Sequence, residues 1–316
     1  MKFGNICERV KRFPVGAIAT FLGAATISNA YAMLGFTFIR HLFMILGAGV
    51  ILLNIMKITL HKEVFIKESN SPVPASIYCT LSMLTITFGS YIFSFNPLVG
   101  KVIWLVGISV HIAMILSFTY NHLIKKFDMK FFVPSWFIVY SGIMITGVVG
   151  SQMGEPLIVK YITYYGLTAF FIVLPFMVKR VLSNPLPTDL IHTKAVFMAP
   201  VSLGLTSYLN ITKEYNEPFI ILLYIILLIS LVVILKNIPK FFSVSFTPTF
   251  GALTFPMAIG TVASFRVALF LKTYNYLSLY SIVYNIAGVQ LFITTAILGF
   301  VIFNFLKKVK CNSEVK

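Results

Sequence analysis

The stretch that decides the reading is Gly251-Ala252-Leu253-Thr254-Phe255-Pro256-Met257-Ala258-Ile259-Gly260-Thr261-Val262-Ala263-Ser264. It lies within an apolar segment long enough to cross a bilayer, yet it consists mostly of small residues with one large ring, Phe255. On a helix, Gly251, Thr254, Ala258 and Thr261 share one stripe, because their spacings are three and four residues. Phe255 lies one turn from both Gly251 and Ala258, so its ring projects into that smooth stripe. Pro256 follows at once, removes a backbone N–H, leaves the Ala252 carbonyl without its helical partner and bends the chain. A small-residue face, a kink and one bulky plug are what a gated narrow pore requires. The same residues equally fit a Phe knob packed between kinked helices, since small residues also serve plain membrane packing.

Composition sets the context. Of 316 residues, 58% are hydrophobic and only 11% charged, against roughly 25% charged in soluble domains. No sustained alternation of apolar and polar residues marks barrel strands. The expected class is an all-α polytopic membrane protein. In a soluble chain the formal charge of +16 would point to nucleic acid; here the basic residues fall between apolar spans, so no nucleic-acid partner is expected. Cys7, Cys79 and Cys311 are scattered without ligand spacing, so neither a disulfide framework nor a metal site is expected.

Ten apolar spans are predicted, at roughly 15–33, 38–60, 74–95, 98–122, 132–152, 157–178, 195–210, 218–236, 246–270 and 278–305. Short breaks such as Asn96-Pro97 and Glu217-Pro218 separate them, and no long soluble stretch intervenes. Residues 1–316 therefore read as a single transmembrane domain. Lys2, Arg9, Lys11 and Arg12 ahead of an apolar run, with Ala30-Tyr31-Ala32 behind it, imitate a cleavable leader. The run is read instead as the first span, because it is rich in Gly, Ala and Thr and matches later repeats. With the N-terminus inside, 19 of the 25 basic residues fall on the inner side. The outer six are Arg40, Lys101, Lys160, Lys213, Arg266 and Lys272. The positive-inside rule then places both termini in the cytoplasm, as an even span number requires.

An internal repeat underlies the spans. Pro14, Pro74 and Pro134 stand 60 residues apart, each opening an odd-numbered span. The seventh and ninth spans continue the step with deeper prolines, Pro200 and Pro256. The unit is a helical hairpin used five times. Odd and even spans differ in kind: Gly, Ala, Ser and Thr supply 41 of 86 residues in the odd cores and 18 of 90 in the even ones. Leu- and Ile-rich helices can face lipid all round, whereas small-residue helices must pack closely or line a void. Alternation through five hairpins predicts a quasi-fivefold arrangement, with an inner ring of odd helices around a central pore and an outer belt of even ones.

The odd spans carry no Asp, Glu, Lys or Arg in their middles, and Arg266 lies near the outer end of the ninth. Coupled carriers keep an ionisable group at depth and cation channels commonly use acidic rings, so a passive, neutral path is favoured. Basic residues around the inner mouth suit small anions, although topology alone also puts them there. His111 is the one histidine deep in a span, and is expected to be a satisfied packing residue rather than a ligand. No His pair has metal spacing, no catalytic triad is recognisable and no phosphate-binding glycine loop occurs. An enzyme and a cofactor are accordingly not expected.

Five hairpins, the opening Arg12-Phe13-Pro14-Val15-Gly16 and Thr254-Phe255-Pro256-Met257 in the ninth span resemble the tellurite-resistance/dicarboxylate transporter family. That family includes bacterial TehA, the plant guard-cell slow-type anion channel and the yeast malate permease. Ser71-Pro72-Val73 and Ala199-Pro200 also look similar to TehA, while the Thr-Phe-Pro-Met run is similar to the plant and yeast branches. The resemblance implies a homotrimer in a bacterial plasma (inner) membrane, each protomer with its own pore. It implies that Phe255 is the occluding gate and that Gly16, Ala19 and Gly23 line the conduit. Thr85, Gly142, Pro200, Thr254, Pro256 and Ala258 are the further pore-lining or kink positions. Its members imply either a channel for small monovalent anions such as chloride or nitrate, or an exporter of dicarboxylates such as malate, or of tellurite.

Overall fold

Every regular element among the described residues is helical. The computed structural model of the chain describes residues 8–212 and 214–314. Lys2, Cys7 and Lys213, named above, lie outside the described residues, as does the side chain of Cys311. In chain order the helices are α1 (Val15–Met33), α2 (Thr37–Leu60), the short α3 (Lys62–Ser69), α4 (Pro72–Phe93) and α5 (Pro97–Phe118). Next come the short α6 (Trp136–Tyr140) and α7 (Ile145–Val149), then α8 (Pro156–Ser183) and α9 (Met198–Ile211). The last three are α10 (Glu217–Phe242), α11 (Gly251–Thr273) and α12 (Leu277–Glu314).

Eight stretches have the length and hydropathy of a membrane span, beginning with Val15–Met33 and ending with Leu277–Lys308. This is a multi-pass membrane protein. Two of the ten expected spans need correction. Residues 132–152 do not form one helix: α6 and α7 flank a 3-10 turn at Gly142–Met144. Residues 195–210 begin in a ten-residue 3-10 stretch, Thr188–Phe197, before α9 starts. The physical cause is local. Ser141-Gly142 and Gly147 weaken the fifth stretch as an α-helix. In the seventh, Pro200 occupies the first turn of α9, where its missing N–H costs nothing, so it starts that helix rather than kinking it. Irregular backbone at such depth is tolerated only where protein covers it. Here the residues around both interruptions, Ile143, Met144, Val196 and Met198, are buried.

The division between odd and even spans appears as burial. α2, α5, α8, α10 and α12 expose large apolar side chains, such as Leu52, Leu98, Leu182, Ile229 and Phe292. That is the surface a hydrocarbon solvent accepts. α1, α4, α9 and α11 are buried over most of their length. α1 packs against α2, α4, α11 and α12, so the run that imitates a leader belongs to the core.

Two turns share one geometry. After α1, Gly35 takes φ 92°, the Phe36 N–H donates to the Tyr31 carbonyl, and the Gly35 N–H donates to that of Ala32. After α11, Asn275 takes φ 60°, with Tyr276 donating to Leu271 and Asn275 to Lys272. Both are Schellman caps. Gly35 and Asn275 stand 240 residues apart, four steps of 60.

Lys57, counted above as an inner-side charge, is 1% exposed. Its Nζ donates to the Phe13 carbonyl and to Glu68, each at 2.9 Å, and the Tyr78 hydroxyl donates to the same carboxylate. Arg180 is likewise a fastener: it donates to the backbone carbonyls of Met129 and Asn184 at 2.9 and 2.8 Å. Neither charge is free to ring a mouth.

Candidate functional site

The small-residue stripe of α11 is used first for packing. A Cβ placed on Gly16 would lie 1.9 Å from the Pro248 carbonyl oxygen, and one on Gly251 would lie 2.2 Å from that of Gly16. Two turns further along α1 on the same seam, a Cβ on Gly23 would lie 2.8 Å from the Thr254 backbone. Backbones approach this closely only where no side chain stands between them. The Thr254 hydroxyl lies 2.8 Å from the Gly251 carbonyl and 3.2 Å from the Ala19 carbonyl, tying α11 across to α1. Thr261 turns toward α12, with its Oγ1 3.1 Å from that of Thr294. Gly16, Ala19, Gly23, Gly251 and Thr254 are thus brought together as one helix seam.

Phe255 is 3% exposed and has no ring partner among the described residues, unlike Phe250 just before it. Helical phase places Phe255, Val262 and Arg266 on one face, at spacings of seven and four residues. Pro256 and Ala258 are buried, and α11 runs without interruption through the proline.

Val262 and Arg266 line a cavity of about 360 Å³. Asn29 of α1, Ser90 of α4, Val149 of α7, Thr206 of α9 and Arg40 of α2 also line it. α1, α4, α7, α9 and α11, the helices of the five odd segments, therefore all present their C-terminal parts to one space. Neighbouring segments are stitched around it. Gln152 Nε2 donates to the Ser90 carbonyl at 2.9 Å, and Ser90 Oγ donates to the Val149 carbonyl at 3.1 Å. Ser207 Oγ donates to the Met144 carbonyl at 2.8 Å, and Asn210 Nδ2 to that of Gly147 at 3.0 Å.

The remaining expected site residues lie elsewhere. Thr85 is half-buried on α4 and donates its hydroxyl to the Leu81 carbonyl. Gly142 faces Met83 and His111: a Cβ there would meet Met83 Sδ at 2.8 Å. Pro200 opens α9. His111 is fully buried, with Nε2 3.0 Å from the Val139 carbonyl and Nδ1 2.8 Å from Ser82 Oγ. A carbonyl only accepts, so Nε2 carries a proton. Both ring nitrogens are spent on packing, as the sequence led one to expect. No group of three metal-ligating side chains is found among the described residues.

Phe255 is buried on α11, whose C-terminal part lines the cavity together with those of α1, α4, α7 and α9. The model of the voltage-dependent anion channel (SLAC1) family matches residues 12–306. The chain belongs to that family. Searched against curated proteins, it has no match. Membership in the SLAC1 family makes this a multi-pass protein of anion transport, as the resemblance implied.

Sequence reasoning missed one thing about the site. It counted Arg40 and Arg266 only as minority charges on the outer side. Both line the cavity, and neither forms an ion pair or a hydrogen bond among the described residues. Arg40 has its Nε buried without a partner and its guanidinium 5.8 Å from the centre of the Tyr91 ring. The signal was present: both arginines sit inside apolar helices, where an unpaired charge is expensive and usually functional.

Proposed function

We propose that this SLAC1-family protein is a passive channel for small monovalent anions, chloride- or nitrate-like, with Phe255 as its gate. The observation that carries the reading is the face of α11 on which Phe255, Val262 and Arg266 stand in line. Its upper part lines the cavity, and its lower part carries a buried ring without aromatic partners among the described residues. Over the seven residues from Phe255 to Val262, the nearer cavity-lining residue of that face, an α-helix rises about 10 Å, so the ring would close the conduit below the cavity floor. An apolar constriction of this kind blocks ions by denying them water, without a binding charge.

The wider proposal is a single transmembrane domain over residues 1–316, with ten membrane segments paired as five hairpins in quasi-fivefold order. Three copies would assemble as a homotrimer with one pore each, in a bacterial plasma membrane with both termini cytoplasmic. The broken fifth segment counts as a membrane segment in this scheme, since its interruption is covered by protein. Export of C4-dicarboxylates such as malate, or of tellurite, is the second reading. It is favoured by the two unpaired arginines, because a guanidinium fork matches a carboxylate. Reversal potentials in planar bilayers separate the two. A passive channel tracks the anion gradient alone, whereas a coupled carrier gives saturating flux that follows a pH gradient.

A further inference from the structure

The cavity at the C-terminal ends of the inner segments is more than a vestibule. Two cations, Arg40 and Arg266, share it, and no carboxylate is among its lining residues. Arg40 comes from the first turn of α2 and Arg266 from the last third of α11, so the fold brings them together from 226 residues apart. Elsewhere at this end of the molecule, Lys160 is exposed, and two lysines have partners. Lys101 pairs with Glu155, and Lys272 lies over the Tyr280 ring. Placing two like charges in one partly desolvated space without a counter-charge is costly, and an anion entering between them offsets that cost.

We propose that Arg40 and Arg266 form an anion-binding site that takes small planar oxyanions, of the carboxylate and nitrate type, in preference to halides. The preference follows from donor geometry. A guanidinium presents its N–H groups in a plane, as a fork that two oxygens of a trigonal anion satisfy at once, and a spherical halide does not. Of the other polar lining residues, Asn29 offers its amide to the remaining oxygen, whereas Gln152 Nε2 donates to Ser90 and the Thr206 hydroxyl to the Ser202 carbonyl. Tyr91 positions one arm of the site: its ring lies beside Arg40, and its hydroxyl is 2.9 Å from His41 Nδ1. The site loads the conduit by concentrating anions above the Phe255 constriction. It deepens the channel reading and depends on it only for that last role.

The test uses full-length protein in two assays. In the first, purified protein is titrated with sodium nitrate, acetate or chloride at constant ionic strength, and thermal unfolding is followed. A ligand bound by the native state alone raises the unfolding temperature in a saturable way. The expected result is a saturable rise with nitrate and acetate at about tenfold lower concentration than with chloride. Arg40→Gln and Arg266→Gln should each weaken it, whereas Arg266→Lys should keep binding but lose the preference for planar anions. Equal responses to all three salts, or responses unchanged in the glutamine variants, would overturn the proposal. In the second assay, Arg266→Gln is combined with Phe255→Ala in bilayers, and the nitrate current at low concentration should fall several-fold. If Phe255→Ala conducts and the added Arg266→Gln changes nothing, the site fails and the channel stands. If Phe255→Ala carries no current while the saturable binding persists, the channel fails and the site stands.

Discussion

Gly16 and Gly251 lie where α1 meets the start of α11: a Cβ on Gly251 would lie 2.2 Å from the Gly16 carbonyl oxygen, and one on Gly16 1.9 Å from that of Pro248 in the turn before α11. This close approach packs α1 against α11 one turn before Phe255. Gly16→Ala should force the helices apart and cost about 1–3 kcal/mol, as overpacking of a tight core does. Thermal unfolding in detergent would show a drop of several degrees. Gly49→Ala is the matched control, since nothing lies within 4 Å of its added Cβ. An equal loss in the control would deny the seam its role.

The Lys57–Glu68 pair makes a second prediction. Glu68→Gln leaves a nearly inaccessible ammonium with only the Phe13 carbonyl and a neutral amide, and should cost about 3 kcal/mol. Replacing both residues by Met should recover much of the loss, because the penalty is the unpaired charge rather than the missing bond. Unfolding of the single and double variants measures this, and additive losses would contradict it.

His192 supplies a pH dependence. It lies in the 3-10 stretch ahead of α9, stacked on Phe250 at 3.9 Å, with Nε2 3.0 Å from the Phe241 carbonyl. Burial pushes its pKa below the ordinary histidine value, and the carbonyl contact offsets this only in part. The folded state therefore favours the neutral ring. In the unfolded chain the group takes up a proton near pH 6.5, so stability is retained above that pH and lost as pH falls from there toward the lower folded value. His192→Asn should flatten this part of the stability–pH curve. A wild-type curve that is flat, or that rises on acidification relative to the variant, would reverse the assignment.

Much of this architecture was legible in the residues. The alternation of small-residue and Leu-rich spans foretold which helices would be buried, because burial against protein and burial against lipid select different side chains. The step from Pro14 to Pro74 to Pro134 suggested a repeat, and the turns at Gly35 and Asn275 share one cap geometry. The breaks within 132–152 and before Met198 were not legible, since hydropathy records how apolar a stretch is and not whether its backbone stays helical. The stripe Gly251, Thr254 and Thr261 was found, but its use was not. Small residues serve a seam and a void alike, and only the neighbouring backbone at Gly16 decides between them. Arg40 and Arg266 were seen as charges and not as a pair, because nothing in a linear reading brings residues so distant to one cavity.

The central claim is that one benzyl group closes the conduit. The most direct measurement is the anion current of Phe255→Ala against wild type at matched protein density in planar bilayers. The ring need hold only about 1.4 kcal/mol of barrier for its removal to raise the current tenfold, and at least that increase is expected. A correctly folded Phe255→Ala protein with wild-type current would contradict the account.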